Sequence, residues 1–343
     1  MNILNYTLKE LETIFIENNL KKFLGIQVFD WIYKKREFDF LKMTNISKLN
    51  RDFLEINFEL KYLNPSIIQI DPIDGTRKYL FELDDGNKIE TVLMKFDYGY
   101  SVCVTTQVGC NMGCKFCASG LLKKKRNLEA WEIVAQVLTI QKFLDEESLG
   151  RVSNVVIMGI GEPLDNYDNV SKFISIVNND YGLQIGSRKI TLSTCGLVHK
   201  FDDFINDHPQ VGLAISLHAS NNIIRDAIMP INKAYNFEKL LIAAKDYTKR
   251  TNRRITFEYI MLKDVNDSIE NAVELSKKLK DILCYVNLIP YNSVNEHSFQ
   301  RSENVKKFAD ILFKNGITVT IRQEKGSNIS AACGQLRAQN EKN

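Results

Sequence analysis

Three cysteines lie close together in the chain, at Cys110, Cys114 and Cys117. Their spacing, C-x3-C-x2-C, puts three thiolate ligands on one short loop, and Gly109 and Gly113 permit the tight backbone that such a loop needs. A four-iron cubane held by three cysteines leaves one iron without a protein ligand. That open iron can bind and polarise a small molecule, so the spacing predicts a reactive iron–sulfur cluster.

Structural zinc is the alternative interpretation of the same three cysteines. A closed zinc site needs four ligands, usually supplied as two pairs. The chain has no second C-x2-C or H-x3-H pair, so Cys103, Cys195, His218 or Cys333 would have to serve as a single fourth ligand. The spacing therefore favours the cluster, and a zinc-stabilised RNA-binding protein without catalysis stays as the second hypothesis.

Other polar residues and glycines stand where predicted strands end. Gly161 and Glu162 belong to a glycine turn, and a turn of this kind lets the backbone approach a ligand. Ser193, Ser216 and His218 end two further predicted strands. Because the C-terminal ends of parallel strands meet at the mouth of a barrel, we expect these side chains to surround one site.

The elements that must position these residues follow from hydrophobic periodicity. Residues 1–60 have helical spacing, and two strands at 78–83 and 89–94 flank an Asp85-Gly86-Asn87 turn. From residue 101 onward, seven short β-rich runs alternate with helical patterns, which indicates βαβ units and parallel strands. These runs are 101–106, 154–158, 189–193, 212–217, 255–261, 285–289 and 317–321.

This order predicts an α/β fold in the form of a partial or complete (β/α) barrel. We expect residues 1–95 to form a small N-terminal helical accessory domain that binds RNA, together with a β-hairpin linker. Residues 96–343 are then the core barrel, with a cysteine loop at the C-terminus.

Composition limits the class of protein. A content of 44% hydrophobic and 25% charged residues is ordinary for a globular chain, and no apolar run approaches the length of a membrane helix. Seven cysteines without an export signal argue against a disulfide framework, so we expect a cytoplasmic protein that does not bind membranes. Basic clusters at 34–36, 123–126 and 249–254 are usually solvated surfaces, but together they could bind phosphates.

The cysteine motif resembles that of the radical S-adenosylmethionine (SAM) superfamily, in which the open iron chelates SAM. The resemblance then narrows to the 23S rRNA and tRNA adenine C2-methyltransferases, and it covers nearly the whole chain. It is carried by an ordered set of segments, each weak alone: Asp74-Gly75-Thr76-Arg77-Lys78, Gln107-Val108-Gly109-Cys110, Phe116-Cys117, Arg126-Asn127-Leu128, Met158-Gly159-Ile160-Gly161-Glu162-Pro163, Ser216-Leu217-His218, Met229-Pro230-Ile231-Asn232, Phe257-Glu258-Tyr259 and Ala331-Ala332-Cys333-Gly334-Gln335-Leu336.

The resemblance implies a radical SAM barrel with a [4Fe–4S] cluster on Cys110, Cys114 and Cys117. It also implies a set of SAM contacts, in which the leucine is expected to be structural: Gly161, Glu162, Ser193, Ser216, Leu217, His218 and Asn292. Two further cysteines, Cys333 and Cys103, are assigned to catalysis, and Glu90 is a possible proton acceptor. From the residues alone, Cys103 would be a buried core residue and Glu90 a surface carboxylate.

The chemistry implied by the resemblance uses two SAM molecules for each methyl group. Cys333 becomes S-methylcysteine, and a radical derived from the second SAM activates that methyl group for addition to C2 of adenine. Loss of the C2 proton to Cys103 or Glu90 allows a Cys103–Cys333 disulfide to form and the RNA to leave. The implied partners are 23S rRNA at the peptidyl-transferase centre, tRNA at the adenosine 3′ of the anticodon, and an electron donor of the flavodoxin or ferredoxin type. A monomer is expected.

The related C8-methyltransferases of 23S rRNA, which confer antibiotic resistance, are the closest alternative. The sequence favours C2 because the C8 enzymes tend to differ from it at Val108, Pro163, Phe257-Glu258-Tyr259 and Pro290. One departure from the C2 family lies before the last cysteine. Family members commonly carry two aspartates there, whereas this chain has Asn328 and Ser330.

Overall fold

The computed structural model describes residues 1–292 and 298–329. The N-terminal segment forms three α-helices: α1 (Leu8–Glu17), α2 (Leu24–Phe29) and α3 (Lys48–Asn57). Helix α1 begins at a capping box, because the Thr7 side chain accepts from the backbone N–H of Glu10 while the Glu10 carboxylate accepts from that of Thr7. This reciprocal pair satisfies two backbone donors that would otherwise have no partner. The expected N-terminal helices are therefore confirmed.

Twelve strands occur within the described residues. They are β1 (Pro65–Ile70), β2 (Arg77–Glu82), β3 (Lys88–Phe96), β4 (Gly99–Cys103), β5 (Gln107–Val108), β6 (Arg126–Asn127), β7 (Val152–Ile157), β8 (Ile190–Thr194), β9 (Gly212–Ser216), β10 (Ile255–Met261), β11 (Cys284–Pro290) and β12 (Thr318–Ile321). Ten of these make one sheet in the order β1-β2-β3-β4-β7-β8-β9-β10-β11-β12, and β5 pairs separately with β6.

The sheet changes character at β4. Strands β1 to β4 are antiparallel neighbours, whereas each pairing from β4 to β12 is parallel. The crossovers of the parallel part contain seven helices within the described residues: α4 (Ala130–Glu146), α5 (Tyr167–Asn178), α6 (Phe201–Asp207), α7 (Asn222–Ile228), α8 (Phe237–Thr251), α9 (Ile269–Leu279) and α10 (Val305–Lys314). The predicted α/β fold with parallel strands is confirmed. Strands β1 and β12 are the two edges of the ten-stranded sheet, so the sheet is open and corresponds to a partial barrel.

The sheet has two unlike faces. One face packs against the helices and carries the main hydrophobic core, to which the strands contribute residues such as Val102, Ile157 and Leu192. The opposite face, here called the inner face, carries a separate small apolar cluster around Val92 and Cys103. In the described residues, no helix is both long enough and apolar enough to cross a bilayer.

The first basic cluster, 34–36, lies between the N-terminal helices and the core. The Arg36 guanidinium forms an ion pair with Asp145 of α4 at 2.5 Å. Lys34 approaches Asp30 at 3.6 Å and also lies over the ring of Tyr181, 5.2 Å from its centroid. These contacts attach the N-terminal helices to the core, so RNA binding by the cluster stays a prediction. The expected domain boundary at residue 95 also stays a prediction. It falls near the end of β3, which pairs with both β2 and β4.

The buried side chain of Gln136 on α4 fixes the sheet against that helix. Its Oε1 accepts from the Thr91 hydroxyl at 2.7 Å and from the Thr105 N–H at 2.9 Å. Its Nε2 donates to the Thr105 carbonyl at 3.0 Å. Because these partners come from β3 and from the chain after β4, one amide group holds both segments in place.

Replacing Gln136 with leucine should destabilise the protein. The change leaves the buried Thr91 hydroxyl and the two Thr105 backbone groups without this partner, so the free energy of unfolding should fall by roughly 2–4 kcal/mol. Chemical denaturation measures this. The matched control is Gln300→Leu, at an exposed glutamine, which should change the value by less than about 0.5 kcal/mol. Equal denaturation curves for both variants would contradict the assignment.

Candidate functional site

The register of the sheet brings several predicted site residues to the inner face. Val92 of β3 lies opposite Cys103 of β4, and Cys103 lies opposite Val156 of β7. Side chains alternate between the two faces of a strand, so Glu90 and Cys103 project from the same face. Neighbours of this kind on a diagonal have Cβ atoms roughly 7–8 Å apart.

The same face continues along the parallel strands. Val156 lies opposite Thr191 of β8, which places Ser193 on the inner face two residues later. Ser193 then lies opposite Ala214 of β9, which places Ser216 there as well. Glu90, Cys103, Ser193 and Ser216, predicted from separate segments, thus share one surface.

The cysteine loop is held by backbone contacts with the segment that follows it and with the end of α7. The Cys110 N–H donates to the Leu122 carbonyl at 2.9 Å, and the Lys115 N–H donates to the Ile228 carbonyl at 2.9 Å. Gly109 has φ +82°, and a Cβ there would lie 2.3 Å from the Lys123 carbonyl oxygen. No side chain larger than hydrogen fits at this position.

The three thiols of this loop are in mutual electrostatic contact. Burial raises the pKa of the Cys110 thiol to about 11, and the nearby Cys117 adds to the shift. Burial and the other two thiols also raise the pKa of Cys114. Three buried thiols this close together form thiolates only when a cationic group lies among them. An iron–sulfur cluster provides such a group, because its irons are bound by cysteine thiolates.

A cubane distributes its cysteine ligands over different irons, so its ligands do not converge on one metal ion. Among the described residues, no three His, Cys, Asp or Glu side chains are grouped as ligands of a single ion. Ser119, two residues after Cys117, has a buried hydroxyl without a hydrogen-bond partner in the described part of the chain. The donor set and this unsatisfied hydroxyl fit a cluster at the loop.

Gly161 and Glu162 lie where β7 ends. Gly161 has φ +110°, and a Cβ there would approach the Gln107 side chain within 2.7 Å. Burial raises the pKa of Glu162 against the opposing effect of its hydrogen bonds. Its carboxylate accepts from the Leu164 N–H at 3.0 Å and from the Cys195 N–H at 2.7 Å. Glu162 therefore ties the end of β7 to the end of β8.

His218 follows β9 in a left-handed conformation, with φ +56°. Its Nδ1 accepts from the Ile260 N–H at 3.0 Å, so the proton of the neutral ring lies on Nε2. Burial, with a contribution from Arg225, lowers the pKa of His218 to about 3. The ring meets Phe116 of the cysteine loop edge to face, with centroids 4.9 Å apart. His218 is thus a neutral donor beside the loop.

The other predicted SAM contacts differ in their surroundings. Leu217 is fully buried in the main core. Asn292 is exposed just after β11. All SAM assignments stay predictions.

Cys103 is a buried cysteine of β4, and no disulfide joins two cysteines within the described residues. Cys333 and Ser330 lie outside the described residues.

Sequence reasoning missed Arg225, whose side chain is fully buried beside the site. Its guanidinium donates to the carbonyls of Cys195 at 2.7 Å, Leu217 at 3.2 Å and Ser216 at 3.2 Å. It also donates to the Asn232 side chain at 3.1 Å. Arg225 therefore joins the ends of β8 and β9. The helical pattern around it gave no sign of burial.

Two buried charged residues of the inner face were also missed. Glu258 of β10 lies opposite Ser216 in the register and accepts from the Asn287 amide at 2.9 Å. Burial raises the pKa of Glu258. Lys78 of β2 is fully buried, with its Nζ 2.9 Å from Glu90 Oε2. A lysine in a strand is usually predicted to face solvent, so the sequence pattern predicted an exposed Lys78, whereas the structure buries it.

Asn328, at the departure from the family pattern, makes a defined contact. Its backbone N–H donates to Asp71 Oδ2 at 3.0 Å, and its side-chain amide donates to the same carboxylate at 3.2 Å. The backbone N–H groups of Asn328 and Ile73 hold the pKa of Asp71 below its ordinary value. Nearby, the Gly326 N–H donates to Asp74 at 2.9 Å. The 71–76 turn therefore anchors the chain five residues before Cys333.

Comparisons with known proteins cover both parts of the chain. Residues 104–276 match the family model of the radical SAM superfamily, and residues 1–60 match that of the ribosomal RNA large subunit methyltransferase N-terminal domain. A relative from Malacoplasma penetrans is 52% identical over 98% of this chain and 96% of its own length. One from Streptococcus mutans is 55% identical over 98% and 95%. Both are described as probable dual-specificity RNA methyltransferase RlmN.

Solved structures agree with these matches. A radical SAM methyltransferase from Sphaerobacter thermophilus has a TM-score of 0.91 and 40% identity, covering 98% of both chains. SuiB from Streptococcus suis bound to S-adenosylmethionine has a TM-score of 0.50 and 14% identity, covering 67% of this chain and 52% of its own. The second likeness shows the fold alone.

Replacing Asn328 with aspartate should loosen the anchor at Asp71. Two carboxylates would then face each other, and proteolysis of the C-terminal segment should become about two- to fivefold faster, because facing like charges repel. Limited proteolysis followed by mass spectrometry measures this. Exchanging the pair, Asp71→Asn with Asn328→Asp, should restore the wild-type rate, since one amide again faces one carboxylate. An unchanged rate for Asn328→Asp alone would refute the prediction.

Proposed function

The chain belongs to the radical SAM superfamily and, within it, to the RlmN family, and on that premise we propose that it methylates C2 of adenosine in 23S rRNA and in tRNA. The proposed targets are the peptidyl-transferase centre and the adenosine 3′ of the anticodon. The observation that carries the proposal is the identity of 52–55% over 98% of the chain to relatives described as dual-specificity RNA methyltransferases. Membership of this family also argues against the zinc-stabilised binding protein.

We propose that Cys110, Cys114 and Cys117 hold a [4Fe–4S] cluster and that SAM binds beside it. When bound, the cluster and SAM would supply a carbon radical through reductive cleavage of SAM. Radical chemistry is what an electron-poor ring carbon requires. The protein itself positions these groups. Neutral His218 and the Ser193 and Ser216 hydroxyls offer hydrogen bonds near the loop.

Cys333 is the proposed methyl carrier. Its thiolate would take a methyl group from one SAM to give S-methylcysteine. After the radical supplied by a second SAM has removed a hydrogen atom from that methyl group, the carbon would add to C2 of adenine and join protein and RNA during turnover. Cys103 then attacks the Cys333 sulfur, so that an S–S bond forms as the bond from sulfur to the transferred carbon breaks. An external dithiol returns both cysteines to thiols. What supports this sequence is that Cys103 and Glu90, the two candidate proton acceptors, share the inner face.

The substrate adenine must leave its base stack to reach the inner face of the sheet. RNA loops offer unpaired bases more readily than duplexes do. The apolar surroundings of Cys103, formed by Val92, Met94 and Val156, suit a flat base. We further propose that the protein is a cytoplasmic monomer that receives electrons from a flavodoxin or ferredoxin.

The position of methylation is tested directly on RNA. Mass spectrometry of rRNA fragments from a strain that lacks this gene should show loss of C2-methyladenosine in 23S rRNA and tRNA, and its return on complementation. Loss of C8-methyladenosine instead would assign the chain to the antibiotic-resistance enzymes. Unaltered RNA would overturn the proposed function.

Replacing Cys110, Cys114 or Cys117 with alanine should each abolish the cluster and SAM cleavage. No other cysteine lies on this loop to take over as ligand. Iron and sulfide analysis of anaerobically purified protein measures the first effect, and formation of 5′-deoxyadenosine the second. Cys284→Ala, at a buried cysteine on β11, is the matched control and should retain both. Full iron content and SAM cleavage in any loop variant would exclude the assignment.

Replacing Cys103 with alanine should trap the enzyme covalently on its RNA, whereas Cys333→Ala should not. Cys333 makes the bond to RNA and Cys103 acts only afterwards, so only the first variant stops after the adduct has formed. A denaturing gel with labelled RNA, with and without nuclease, detects the adduct. Cys284→Ala and the double variant Cys103→Ala/Cys333→Ala should both give no shifted band. Identical behaviour of the two single variants would show that these roles are wrong.

A further inference from the structure

Lys78 is a fully buried lysine on the inner face that the proposed reaction does not yet use. Its side chain is 0% exposed and its Nζ lies 2.9 Å from Oε2 of Glu90, whose side chain is 3% exposed. The two residues thus form an ion pair that is shielded from water. The burial of an ion pair beside the proposed site of proton removal needs a physical explanation.

The register shows where this ion pair lies relative to Cys103. Lys78 of β2 lies opposite Val92 of β3, and Val92 lies opposite Cys103 of β4. Lys78, Glu90 and Cys103 therefore project from the same face, with Lys78 and Cys103 two strands apart, or roughly 9–10 Å between backbones. The ion pair borders the apolar cluster of Val92, Met94 and Cys103.

Stability alone does not explain this arrangement. Removing two charges from water costs about as much as their attraction returns, and apolar residues of similar volume are often at least as stabilising. An apolar pair would also continue the cluster around Val92. The carboxylate and the ammonium are therefore better explained by the chemistry next to them.

The backbone at Glu90 is also held firmly. The Thr105 hydroxyl donates to the Glu90 carbonyl at 2.6 Å, and Gln136 holds Thr105 in turn. Glu90 is thus fixed through its backbone by Thr105 and through its carboxylate by Lys78. A general base needs this placement, because proton transfer depends on the acceptor atom being at the right position.

We propose that Lys78 is a positioning residue for proton removal, acting through Glu90. The Lys78 ammonium keeps Glu90 as an aimed carboxylate in apolar surroundings until the RNA adduct forms. The C2 proton of the adduct then passes to the Glu90 carboxylate, and the electron pair of the C–H bond stays with the adduct. Lys78 keeps its own proton throughout. This inference rests on the proposed function and selects Glu90 over Cys103 as the base.

The test measures the lifetime of the covalent RNA adduct in five enzymes: wild type, Lys78→Met, Lys78→Arg, Glu90→Gln and the double variant Lys78→Met/Glu90→Gln. Lys78→Met should lengthen the adduct lifetime by roughly 10- to 100-fold, which is less than the roughly 10²- to 10⁴-fold effect of a general base, because Glu90 itself is still present. Lys78→Arg keeps the charge and should recover most of the wild-type rate. The double variant should match Glu90→Gln within about twofold, because Lys78 has nothing left to act on.

Two further measurements separate this effect from misfolding. Iron content and SAM cleavage without RNA should stay near wild type in each variant, because neither depends on proton removal from an adduct. If Lys78→Met fails to fold, Lys78→Gln, which keeps a hydrogen-bond donor without the charge, replaces it in the same comparison. A loss of cluster and adduct together in all Lys78 variants would show a purely structural residue and overturn the inference.

The remaining outcomes distinguish this inference from the proposed function. If wild type methylates C2 and Cys103→Ala traps RNA, but Lys78 variants resolve the adduct at the wild-type rate, the inference alone fails. Additive effects of Lys78→Met and Glu90→Gln would also overturn it, because Lys78 would then act independently of Glu90. If Cys103→Ala traps no RNA, the proposed function fails and this inference fails with it.

Discussion

The alternation of side chains along a continuous sheet is the constraint on which the rest of this structure depends. Successive residues of a strand point to opposite faces, so helix packing on one face leaves the other face for a site. Because the pairing runs from β2 to β11, with one irregularity at Tyr100/Ser101 that lies before Cys103, residues from many segments form one inner surface. A slip of one residue in β4 would exchange Cys103 for Val102 and move the thiol into the core.

Buried polar groups then fix the strand ends where the chain turns away from the sheet. Arg225 donates to carbonyls at the ends of β8 and β9, and Glu162 accepts from Cys195. Burying such groups is costly unless they are hydrogen-bonded, and in this structure each has several partners. The same region supports the cysteine loop, since the Ile228 carbonyl that ends α7 accepts from Lys115. Hydrogen bonds thereby connect the cysteine loop to the end of α7 and connect the ends of β7, β8 and β9 to one another.

The antiparallel strands contribute an ion pair to the inner face and an anchor for the C-terminal segment. Strands β2 and β3 supply the Lys78–Glu90 ion pair, and the turn before β2 holds Asn328 through Asp71. The segment that leads to Cys333 is therefore anchored beside the strands that carry Glu90. Extending a parallel sheet with an antiparallel part places the Lys78–Glu90 ion pair and the anchor of residues 326–328 in neighbouring parts of the structure.

The sequence by itself determined the order of elements and the residues that could do chemistry. The seven parallel strands, the hairpin and the N-terminal helices were all predictable, because hydrophobic periodicity is local. The cysteine spacing is local too, so it indicated a cluster before any fold was known. Glu90 and Cys103, in contrast, read as an ordinary surface carboxylate and a core thiol until the resemblance was considered. Only tertiary structure decided that Lys78 and Arg225 are buried, because their partners lie on other strands and burial depends on what packs against a residue rather than on its neighbours in sequence.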